Sequence, residues 1–344
     1  MHSAAGQPAA AGIEGIVEPT AASTAFGKYQ LFASLGRGGM ADVFLAVARG
    51  PMGFNKLAVI KRLRQALADE PSFRNMFLDE ARLAARLNHP NIVHTYEVGE
   101  HNGIYFIAME YLEGQSLNKV MKEALKRREA LPPALCARIV ADALTGLHFA
   151  HTLTDYDGTP LHIIHRDVSP HNIFVTYEGH SKLVDFGIAK AALSSTETEV
   201  GVLKGKVAYM SPEQARGEPL DKRSDLFALG IVLWELVAGR RLFKTGNAKE
   251  TLELVKKAEI PPLDLAALGW PNELAPILEK ALARDVEHRY QSAGDIVADV
   301  SQLLFRMGEA VGENELADAM ASLFPRATDH TPNKLRVDLM LRAQ

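Results

Sequence analysis

The sequence changes character near Gly114, and this change constrains the fold more than any other feature. From Lys28 to that glycine, short runs of alternating apolar and polar residues are bounded by Gly, Pro or Asn, which is typical of antiparallel strands. Residues at about 72–88 instead repeat apolar side chains every three or four positions and predict one long helix. Beyond Gly114 the helical spacing prevails. The sequence therefore predicts an α+β protein with a small β-rich lobe, holding a five-stranded sheet, and a larger α-helical lobe.

This pattern divides the chain into segments. Residues 1–27 contain no Lys or Arg and are rich in Ala, Gly and Pro, so we expect a disordered tail. Residues 28–113 form the small lobe and residues 114–305 the large lobe, which a short hinge near Tyr111 joins. In the large lobe we expect helices at about 133–153, 223–239, 247–257, 273–284 and 293–306.

The last segment, residues 306–344, predicts a helical extension. Leu316, Met320 and Leu323 fall on one face of a helix in this segment. Packing on the large lobe is favoured over binding a partner, although periodicity alone leaves both alternatives open.

Charge and composition exclude several classes of partner. The chain has 38 Lys and Arg against 42 Asp and Glu, so neither nucleic acid nor an anionic membrane surface is expected as a partner. The longest apolar stretch, residues 226–239, is interrupted by Glu235 and is shorter than the roughly 20 residues that a membrane span requires. Cys136 is the only cysteine, which excludes an internal disulfide and suits a reducing compartment. We therefore expect a cytoplasmic protein without membrane contact.

A glycine-rich segment lies between the first two predicted strands of the small lobe. In "GRGGMADV", Gly36 and Gly38 match the pattern G-x-G-x-x-G-x-V, Ala41 replaces the third glycine and Val43 completes it. Glycine lets backbone N–H groups approach phosphate oxygens because no Cβ intervenes. A simple hairpin turn is the alternative. The location between two strands argues against a dinucleotide-binding unit, which needs a strand followed by a helix.

Charged residues further along suggest a phosphate and metal site. Lys61 ends the apolar strand "AVIK" and needs an anionic partner if it is buried, for which Glu80 on the long helix is the candidate. Asp167, Asn172 and Asp185 fall on loops at strand ends, where they can supply a proton acceptor and oxygen ligands for Mg²⁺. Taken singly, each is more simply explained as a surface residue, and only the ordered set is specific.

The ordered set resembles the bacterial eukaryotic-like (Hanks-type) serine/threonine protein kinases over roughly residues 28–305. The motifs appear in the family's order: the glycine loop, Lys61, Glu80, "HRDVSPHN", "DFG" at 185–187 and "SPE" at 211–213. Asp225 resembles the family's buried helix aspartate, and Arg289 resembles the arginine that pairs with Glu213. The resemblance implies the bilobal protein-kinase fold and transfer of the ATP γ-phosphoryl group to Ser or Thr hydroxyls of protein substrates.

The resemblance also implies a role for each residue. Lys61 would hold the α- and β-phosphates and pair with Glu80, Asn172 and Asp185 would bind Mg²⁺, and Asp167 would accept the hydroxyl proton. Backbone groups from Glu110 to Leu112 would bind adenine. The implied nucleotide contacts are Leu35, Gly36, Gly38, Val43, Ala58, Lys61, Met109, Glu110, Leu112 and Phe174. A homodimer for autophosphorylation in trans is compatible with the sequence.

The catalytic loop departs from this family at one position. Kinases of the Ser/Thr class usually carry a lysine two residues after the catalytic Asp, where this chain has Ser169. Lys206 stands where the family usually has a threonine, which in the family's fold lies beside the catalytic aspartate. We hypothesise that Lys206 supplies the missing charge. The alternative is a lysine that faces solvent or contacts substrate.

Two further segments concern flexibility and regulation. The stretch before the catalytic loop is longer than is usual in the family, and its "DYDGTP" predicts a surface turn. Arg166 resembles the arginine that pairs with a phosphate on the activation segment, where the candidate hydroxyls are Ser194, Ser195, Thr196 and Thr198. An unregulated loop is the alternative.

Three other functions stay open. A pseudokinase that binds nucleotide as a scaffold is favoured by Ser169 and Ala41 but opposed by the intact ordered set. A small-molecule phosphotransferase is disfavoured because Glu213 and Arg289 resemble the family's anchors for a protein-substrate platform. Tyrosine specificity stays open because the lysine that marks the Ser/Thr class is absent.

Overall fold

The computed structural model describes residues 18–38, 40–53, 55–186, 207–309 and 311–325. The small lobe is built on one antiparallel sheet in the order β1-β2-β3-β4-β6-β5. Its strands are β1 (Glu18–Phe26), β2 (Tyr29–Arg37), β3 (Ala41–Arg49), β4 (Asn55–Leu63), β5 (Thr95–His101) and β6 (Ile104–Glu110). Between β4 and β5 the chain forms the short α1 (Gln65–Ala68) and the longer α2 (Pro71–Ala84).

Strand β1 corrects the predicted disordered tail. That tail was expected to include residues 1–27, but residues 18–26 pair with β2 and make the sheet six-stranded instead of five-stranded. Small and polar residues dominate "EPTAASTAF", so the local signal for a strand is weak and the neighbouring strand decides the conformation. Phe26 secures the end of the strand, because its ring packs edge-on against Phe106 with centroids 5.2 Å apart. The rest of the predicted tail, residues 1–17, lies outside the described residues.

The helix predicted at about 72–88 is shorter in the structure. It begins at Pro71, which is favourable in a first helical turn because no backbone N–H is needed there. It ends at Ala84, and turns then lead the chain to the buried Leu87 and Ile92. Met76, Phe77 and Ala81 form its buried face. That face orients the helix against the sheet.

The large lobe is helical apart from a small three-stranded sheet. The sheet joins β7 (Gly114–Ser116), β8 (Ile173–Thr176) and β9 (Ser181–Leu183) in that order. The helices are α3 (Leu117–Arg127), α4 (Pro133–Thr152), α5 (Pro212–Arg216), α6 (Arg223–Ala238), α7 (Ala248–Lys257), α8 (Leu274–Ala281) and α9 (Ala293–Met307). Helix α3 was not predicted, α8 ends three residues before the expected 284, and α9 extends past the expected lobe boundary at 305.

The apolar stretch at 226–239 belongs to the central helix of the large lobe. Nearly every residue of α6 is buried, so the stretch is a core helix as expected. Glu235 is fully buried and accepts hydrogen bonds from the Tyr209 hydroxyl at 2.7 Å and from the Leu242 N–H at 3.1 Å. Across the ranges that the structure describes, no helix is both long and apolar enough to cross a membrane.

The C-terminal extension contains the predicted helix, α10 (Glu313–Leu323). Leu316, Met320 and Leu323 are all buried, and they join the core of the large lobe. Helix α10 packs against α3 and β8. Packing on the large lobe, the favoured alternative, is therefore what the structure shows.

Candidate active site

Lys61, Glu80 and Asp185 meet where the two lobes face each other. The Lys61 Nζ donates to Glu80 Oε1 at 2.5 Å and to Asp185 Oδ1 at 3.3 Å. Strand β4 presents the lysine, α2 presents the glutamate, and the residues after β9 present the aspartate. Burial alone would lower the pKa of Lys61, but the two carboxylates outweigh burial and hold this pKa above its ordinary value. The ammonium is therefore a fixed positive charge at the inter-lobe contact.

The loop from His165 to Asn172 holds the remaining acidic and amide groups. The Asn172 Nδ2 donates to the Asp167 carbonyl oxygen at 2.9 Å and to Asp167 Oδ2 at 3.0 Å. The Val184 N–H donates to the Asn172 carbonyl oxygen at 3.0 Å, which joins this loop to the residue before Asp185. Asp167, Asn172 and Asp185 are thus linked through adjacent backbone bonds at one end of the β8–β9 pair.

One buried carboxylate on α6 fixes the backbone of this loop. Asp225 accepts from the N–H of His165 and from the N–H of Arg166, each at 2.8 Å. His151 Nε2 lies 2.8 Å from the same carboxylate. Arg166 and Asp185 both have positive φ, 63° and 53°, which is strained for residues other than glycine. The hydrogen bonds that Asp225 accepts stabilise the strained conformation of Arg166, next to Asp167.

His165 connects the loop to the "DFG" segment. Its Nδ1 accepts from the Asp167 N–H at 3.3 Å, and its Nε2 lies 3.2 Å from the Val184 carbonyl oxygen, which places the ring proton on Nε2. The buried Phe186 ring packs against the His165 ring with centroids 4.4 Å apart. His165 therefore contacts both neighbours of Asp185, Val184 and Phe186, and these contacts keep Asp185 directed toward Lys61. Gly187, the end of "DFG", lies outside the described residues.

Five of the residues predicted to contact the nucleotide lie together between the two lobes. Leu35, Val43, Met109, Leu112 and Phe174 belong to one buried cluster that joins the two lobes. The prediction for Ala58 is wrong: Ala58 belongs to the cluster on the opposite face of the sheet, and its neighbour Val59 belongs to the inter-lobe cluster, because successive strand residues face opposite sides. A small cavity of about 30 Å³ is lined in part by Glu80, Met109, Asp185 and Phe186, and Met109 is its one lining residue among the predicted nucleotide contacts.

The glycine segment forms a tight turn between β2 and β3. Gly36 pairs with Val43, and the Gly38 N–H donates to the Ala41 carbonyl oxygen at 2.8 Å. The hairpin expected as the simple alternative is therefore present, and a hairpin is also the shape in which backbone N–H groups can face phosphates. Gly39 lies outside the described residues.

The groups present suit Mg²⁺ held jointly with phosphates. Within the described ranges, no group of three or more His, Cys, Asp or Glu residues could hold a metal ion. Mg²⁺ typically binds through one or two protein oxygens while phosphate oxygens and waters complete its coordination. The Asn172 amide and the Asp185 carboxylate are such oxygen donors, and they fit this requirement.

Several proposed residues are not placed. Lys206 and the hydroxyl candidates Ser194, Ser195, Thr196 and Thr198 all lie outside the described residues. Ser169 is described and is buried. The Arg166 Nε is buried and has no hydrogen-bond partner within the described ranges.

Sequence reasoning missed an ion pair that joins the two lobes. The Lys182 Nζ donates to Glu110 Oε1 at 2.7 Å, and the same oxygen accepts from the His94 N–H at 2.6 Å. Glu110 ends β6 in the small lobe, whereas Lys182 is the middle residue of β9 in the large lobe. A lysine inside an otherwise apolar run before "DFG" was the available signal, because such a lysine needs an anion.

The longer stretch before the catalytic loop forms the surface turn that was predicted. Thr154 pairs with Pro160, and Gly158 has a φ of 87° between them. The turn also reaches the small lobe: the Arg86 Nη1 donates to Asp155 Oδ1 at 2.7 Å. This contact, just past the end of α2, was not predicted.

Glu213 and Arg289 form a buried pair within the large lobe. The guanidinium donates from Nη1 and Nη2 to the two carboxylate oxygens, each at 2.8 Å. The Ser224 Oγ adds a third donor to Glu213 at 2.8 Å. Burial alone would raise the pKa of Glu213, but the bonds from Arg289 outweigh burial and hold this pKa at about 2.

Comparison with known proteins supports the resemblance to protein kinases that the sequence motifs indicate. The protein kinase domain family matches residues 29–300. The tyrosine-protein kinase MasK of Myxococcus xanthus is 45% identical over 268 residues, which cover 78% of this chain and 42% of that protein. The serine/threonine-protein kinase PrkC of Bacillus subtilis is 39% identical over 274 residues, 80% of this chain and 40% of that protein. The chain thus matches about two fifths of these relatives' lengths.

A solved structure extends the comparison to three dimensions. The kinase domain of PknI from Mycobacterium tuberculosis superposes with a TM-score of 0.59 at 28% sequence identity. The alignment covers 83% of this chain and 99% of the PknI chain. The bilobal α+β arrangement is therefore shared with that domain.

Proposed function

Because this chain belongs to the protein kinase domain family, we propose that it transfers the γ-phosphoryl group of ATP to hydroxyl groups of protein substrates. The observation that carries the proposal is the meeting of Lys61, Glu80 and Asp185 within hydrogen-bond reach across the two lobes. These residues are distant in sequence, and a lysine that two carboxylates hold in a crevice between lobes is well placed to bind phosphate.

Each group has a distinct task in this proposal. Lys61 binds the α- and β-phosphates while Glu80 keeps its ammonium in place. Asn172 and Asp185 hold Mg²⁺, which, when bound, neutralises charge on the phosphate oxygens. Asp167 accepts the proton of the attacking hydroxyl, and the Asn172 amide orients its carboxylate through the 3.0 Å bond. Positioning and charge neutralisation supply most of the rate enhancement.

The direct test separates an active kinase from a pseudokinase. Wild-type protein and Asp167→Asn are incubated with Mg²⁺ and radiolabelled ATP, and each is titrated with a non-hydrolysable ATP analogue. We expect label transfer by the wild type alone and analogue binding by both proteins. Analogue binding without transfer by the wild type would favour the scaffold alternative, and absence of binding to the wild type would refute the proposal.

We propose serine and threonine as the acceptors. PrkC and the PknB of Mycobacterium leprae, at 39% and 38% identity, carry serine/threonine names, whereas MasK, at 45%, is named a tyrosine kinase. Phosphoamino-acid analysis of the labelled protein decides between the two. Phosphotyrosine alone would contradict the proposal.

Lys206 is proposed to supply the charge that Ser169 lacks. Two unit charges about 4 Å apart at an effective dielectric near 20 interact by about 4 kcal/mol, which can change a rate by orders of magnitude. Lys206→Ala should therefore lower kcat far more than it weakens ATP binding. An unchanged kcat in this variant would contradict the proposed role of Lys206.

Regulation by phosphate is supported by Arg166. Its buried Nε is unpaired within the described ranges, and a phosphorylated hydroxyl among residues 194–198 would provide a charged acceptor. A second copy of the chain would supply that phosphate in trans. Mass spectrometry of active protein should find phosphate on at least one of the four candidate hydroxyls. Unmodified hydroxyls in fully active protein would count against this control.

Composition and the buried cysteine support the protein partners and the cytoplasmic location that we propose. A net charge of −4 favours protein partners over nucleic acid, and the single buried Cys136 suits a reducing, cytoplasmic compartment.

A further inference from the structure

The helix α10 lies beyond the residues that match the family, yet it packs against β8, the strand that carries the predicted nucleotide contact Phe174. The family match ends at residue 300, whereas α10 includes residues 313–323. Its apolar face is buried against α3 and β8. The element is therefore a feature of this chain that the family match does not account for.

Strand β8 separates the nucleotide pocket from α10. Phe174, in the middle of this strand, belongs to the inter-lobe cluster that contains the predicted adenine contacts. Its neighbours Ile173 and Val175 instead belong to the core of the large lobe, which also contains the buried residues of α10. Because successive residues of a strand face opposite sides, β8 presents one side to the pocket and the other to the core that α10 completes.

The N-terminal end of α10 packs so closely against Gly179 that a side chain at this position would displace the helix. Gly179, in the turn between β8 and β9, has a φ of 83°. A Cβ at this position would overlap the carbonyl oxygen of Glu313. The backbones of the turn and of the helix are therefore in direct contact, and a single methyl group would force them apart.

The C-terminal end of α10 is fixed by an arginine from α3. Arg127 donates from Nη1 to the Ser322 carbonyl oxygen at 2.8 Å and from Nη2 to the Leu323 carbonyl oxygen at 2.6 Å. These carbonyls belong to the last helical turn, where no intrahelical donor is available. The guanidinium thus acts as a cap that comes from another element.

A short series of contacts then leads from α10 to the hinge. Phe324, just after the helix, packs edge-on against Tyr177 with ring centroids 6.4 Å apart. The Tyr177 hydroxyl accepts from Gln115 Nε2 at 2.6 Å, and the Tyr177 N–H donates to the Glu113 carbonyl oxygen at 2.9 Å. Glu113 directly follows the segment whose backbone is proposed to bind adenine.

We infer that α10 is a positioning element for nucleotide binding, which holds β8 and the hinge in the conformation that accepts the adenine ring. This inference rests on the proposed function, because it requires that the crevice bind ATP. The residues of α10 contact no substrate group, so they act through Phe174 and the hinge. Displacing the helix should weaken nucleotide affinity and leave the phosphate-binding charges in place.

The experiment uses two glycines with similar positive φ, 83° at Gly179 and 87° at Gly158. Gly179→Ala forces a methyl group against α10, whereas Gly158→Ala, at a φ of 87°, adds the same strain with no atom within 4 Å of its Cβ. Both variants and the wild type are titrated calorimetrically with the Mg²⁺ complex of a non-hydrolysable ATP analogue. Hydrogen exchange reports the protection of residues 313–323 in the same samples.

We expect Gly179→Ala to lose protection in α10 and to bind the analogue about five- to tenfold more weakly, at unchanged stoichiometry. Gly158→Ala should bind within twofold of the wild type. Lost protection with unchanged affinity would overturn the inference while the proposed function stands. Reduced stoichiometry at unchanged affinity would also overturn it, because the molecules that stay folded would then bind the analogue as tightly as the wild type does. No binding by the wild type would refute the proposed function and this inference with it.

A second pair of variants tests the other end of the helix. Arg127→Gln removes the cap on α10, and Lys126→Gln is its matched control, because Lys126 pairs only with Glu123 on its own helix within the described ranges. We expect a two- to fivefold weaker affinity for Arg127→Gln and no change for Lys126→Gln. Equal affinities in both variants, together with lost protection of α10 in Arg127→Gln, would contradict the inference.

Discussion

Two clusters place a cation between acceptor oxygens, and they differ in how completely the cation is enclosed. The Arg289 side chain is 0% exposed, and within the large lobe it donates to Glu213 and to the carbonyl oxygens of Ala283 and Arg284. The Lys61 side chain is 18% exposed and contacts Glu80 and Asp185 from different lobes. The enclosed pair suits a structural anchor, whereas the accessible pair can exchange a carboxylate for phosphate. Exposure, more than charge, separates the structural cluster from the functional one.

Breaking the enclosed pair should give the largest effect on stability. Arg289→Met leaves Glu213 buried without its partner, so we expect the free energy of unfolding to fall by roughly 3–5 kcal/mol. Urea denaturation measures this change. The affinity of the folded variant for an ATP analogue, measured at low temperature, should stay within about twofold of the wild type. A loss of stability below about 1 kcal/mol would contradict a structural role for the pair of Glu213 and Arg289.

Breaking the accessible pair should instead affect chemistry. Lys61→Met removes the phosphate-binding charge, and we expect phosphoryl transfer to fall by about a hundred- to a thousandfold. The free energy of unfolding should fall by less than in Arg289→Met, because 12% of the Glu80 side chain and 19% of the Asp185 side chain are exposed to water. Lys56→Met on the same strand is the control, since Lys56 is exposed and rests on the Tyr96 ring. Destabilisation as large as that of Arg289→Met would show that both clusters are structural.

Acid should lower the free energy of unfolding through the enclosed pair, because that pair contains Glu213. The pKa of Glu213 lies at about 2 in the folded protein, below the ordinary value of 4.5. Its stabilising contribution, roughly 3 kcal/mol, is therefore complete above about pH 4.5 and is lost as the pH falls toward 2. Unfolding free energies measured from pH 6 down to 2.5 should show this loss in the wild type and a smaller loss in Arg289→Met. Parallel pH profiles for the two proteins would contradict the assignment.

The pair between Glu110 and Lys182 offers an intermediate case. Lys182→Met removes a partly buried bond between the lobes, and we expect a loss of roughly 1–2 kcal/mol of stability. ATP affinity should weaken by a few fold because Glu110 lies at the hinge. Thermal denaturation and calorimetric titration measure the two effects. A change in stability alone would place this pair with the enclosed cluster.

The sequence predicts the members of the site better than it predicts what holds them. Lys61, Glu80 and Asp185 stand in motifs whose residue types are set by chemistry, so their order along the chain is informative. The contacts between Arg86 and Asp155 and between Lys182 and Glu110 instead join charged residues that are far apart in sequence. No local pattern indicates such a partner.

The fold shows the same division. Helices α4 and α6 have strong apolar content and were predicted to within one or two residues. Strand β1 was missed because its small residues weaken the local pattern, whereas α3 was missed although Leu117, Val120 and Ala124 recur at a helical spacing and are buried. Strand β1 is stabilised by pairing with β2, the next element along the chain, whereas α3 is stabilised by α10, which is distant in sequence.

The contact between Gly179 and Glu313 has a reciprocal thermodynamic consequence. If docking of α10 strengthens nucleotide binding by some factor, bound nucleotide must strengthen docking of α10 by the same factor. A molecule that captures the undocked helix would then compete with ATP without entering the crevice. Its apparent affinity for the protein would fall as the nucleotide concentration rises.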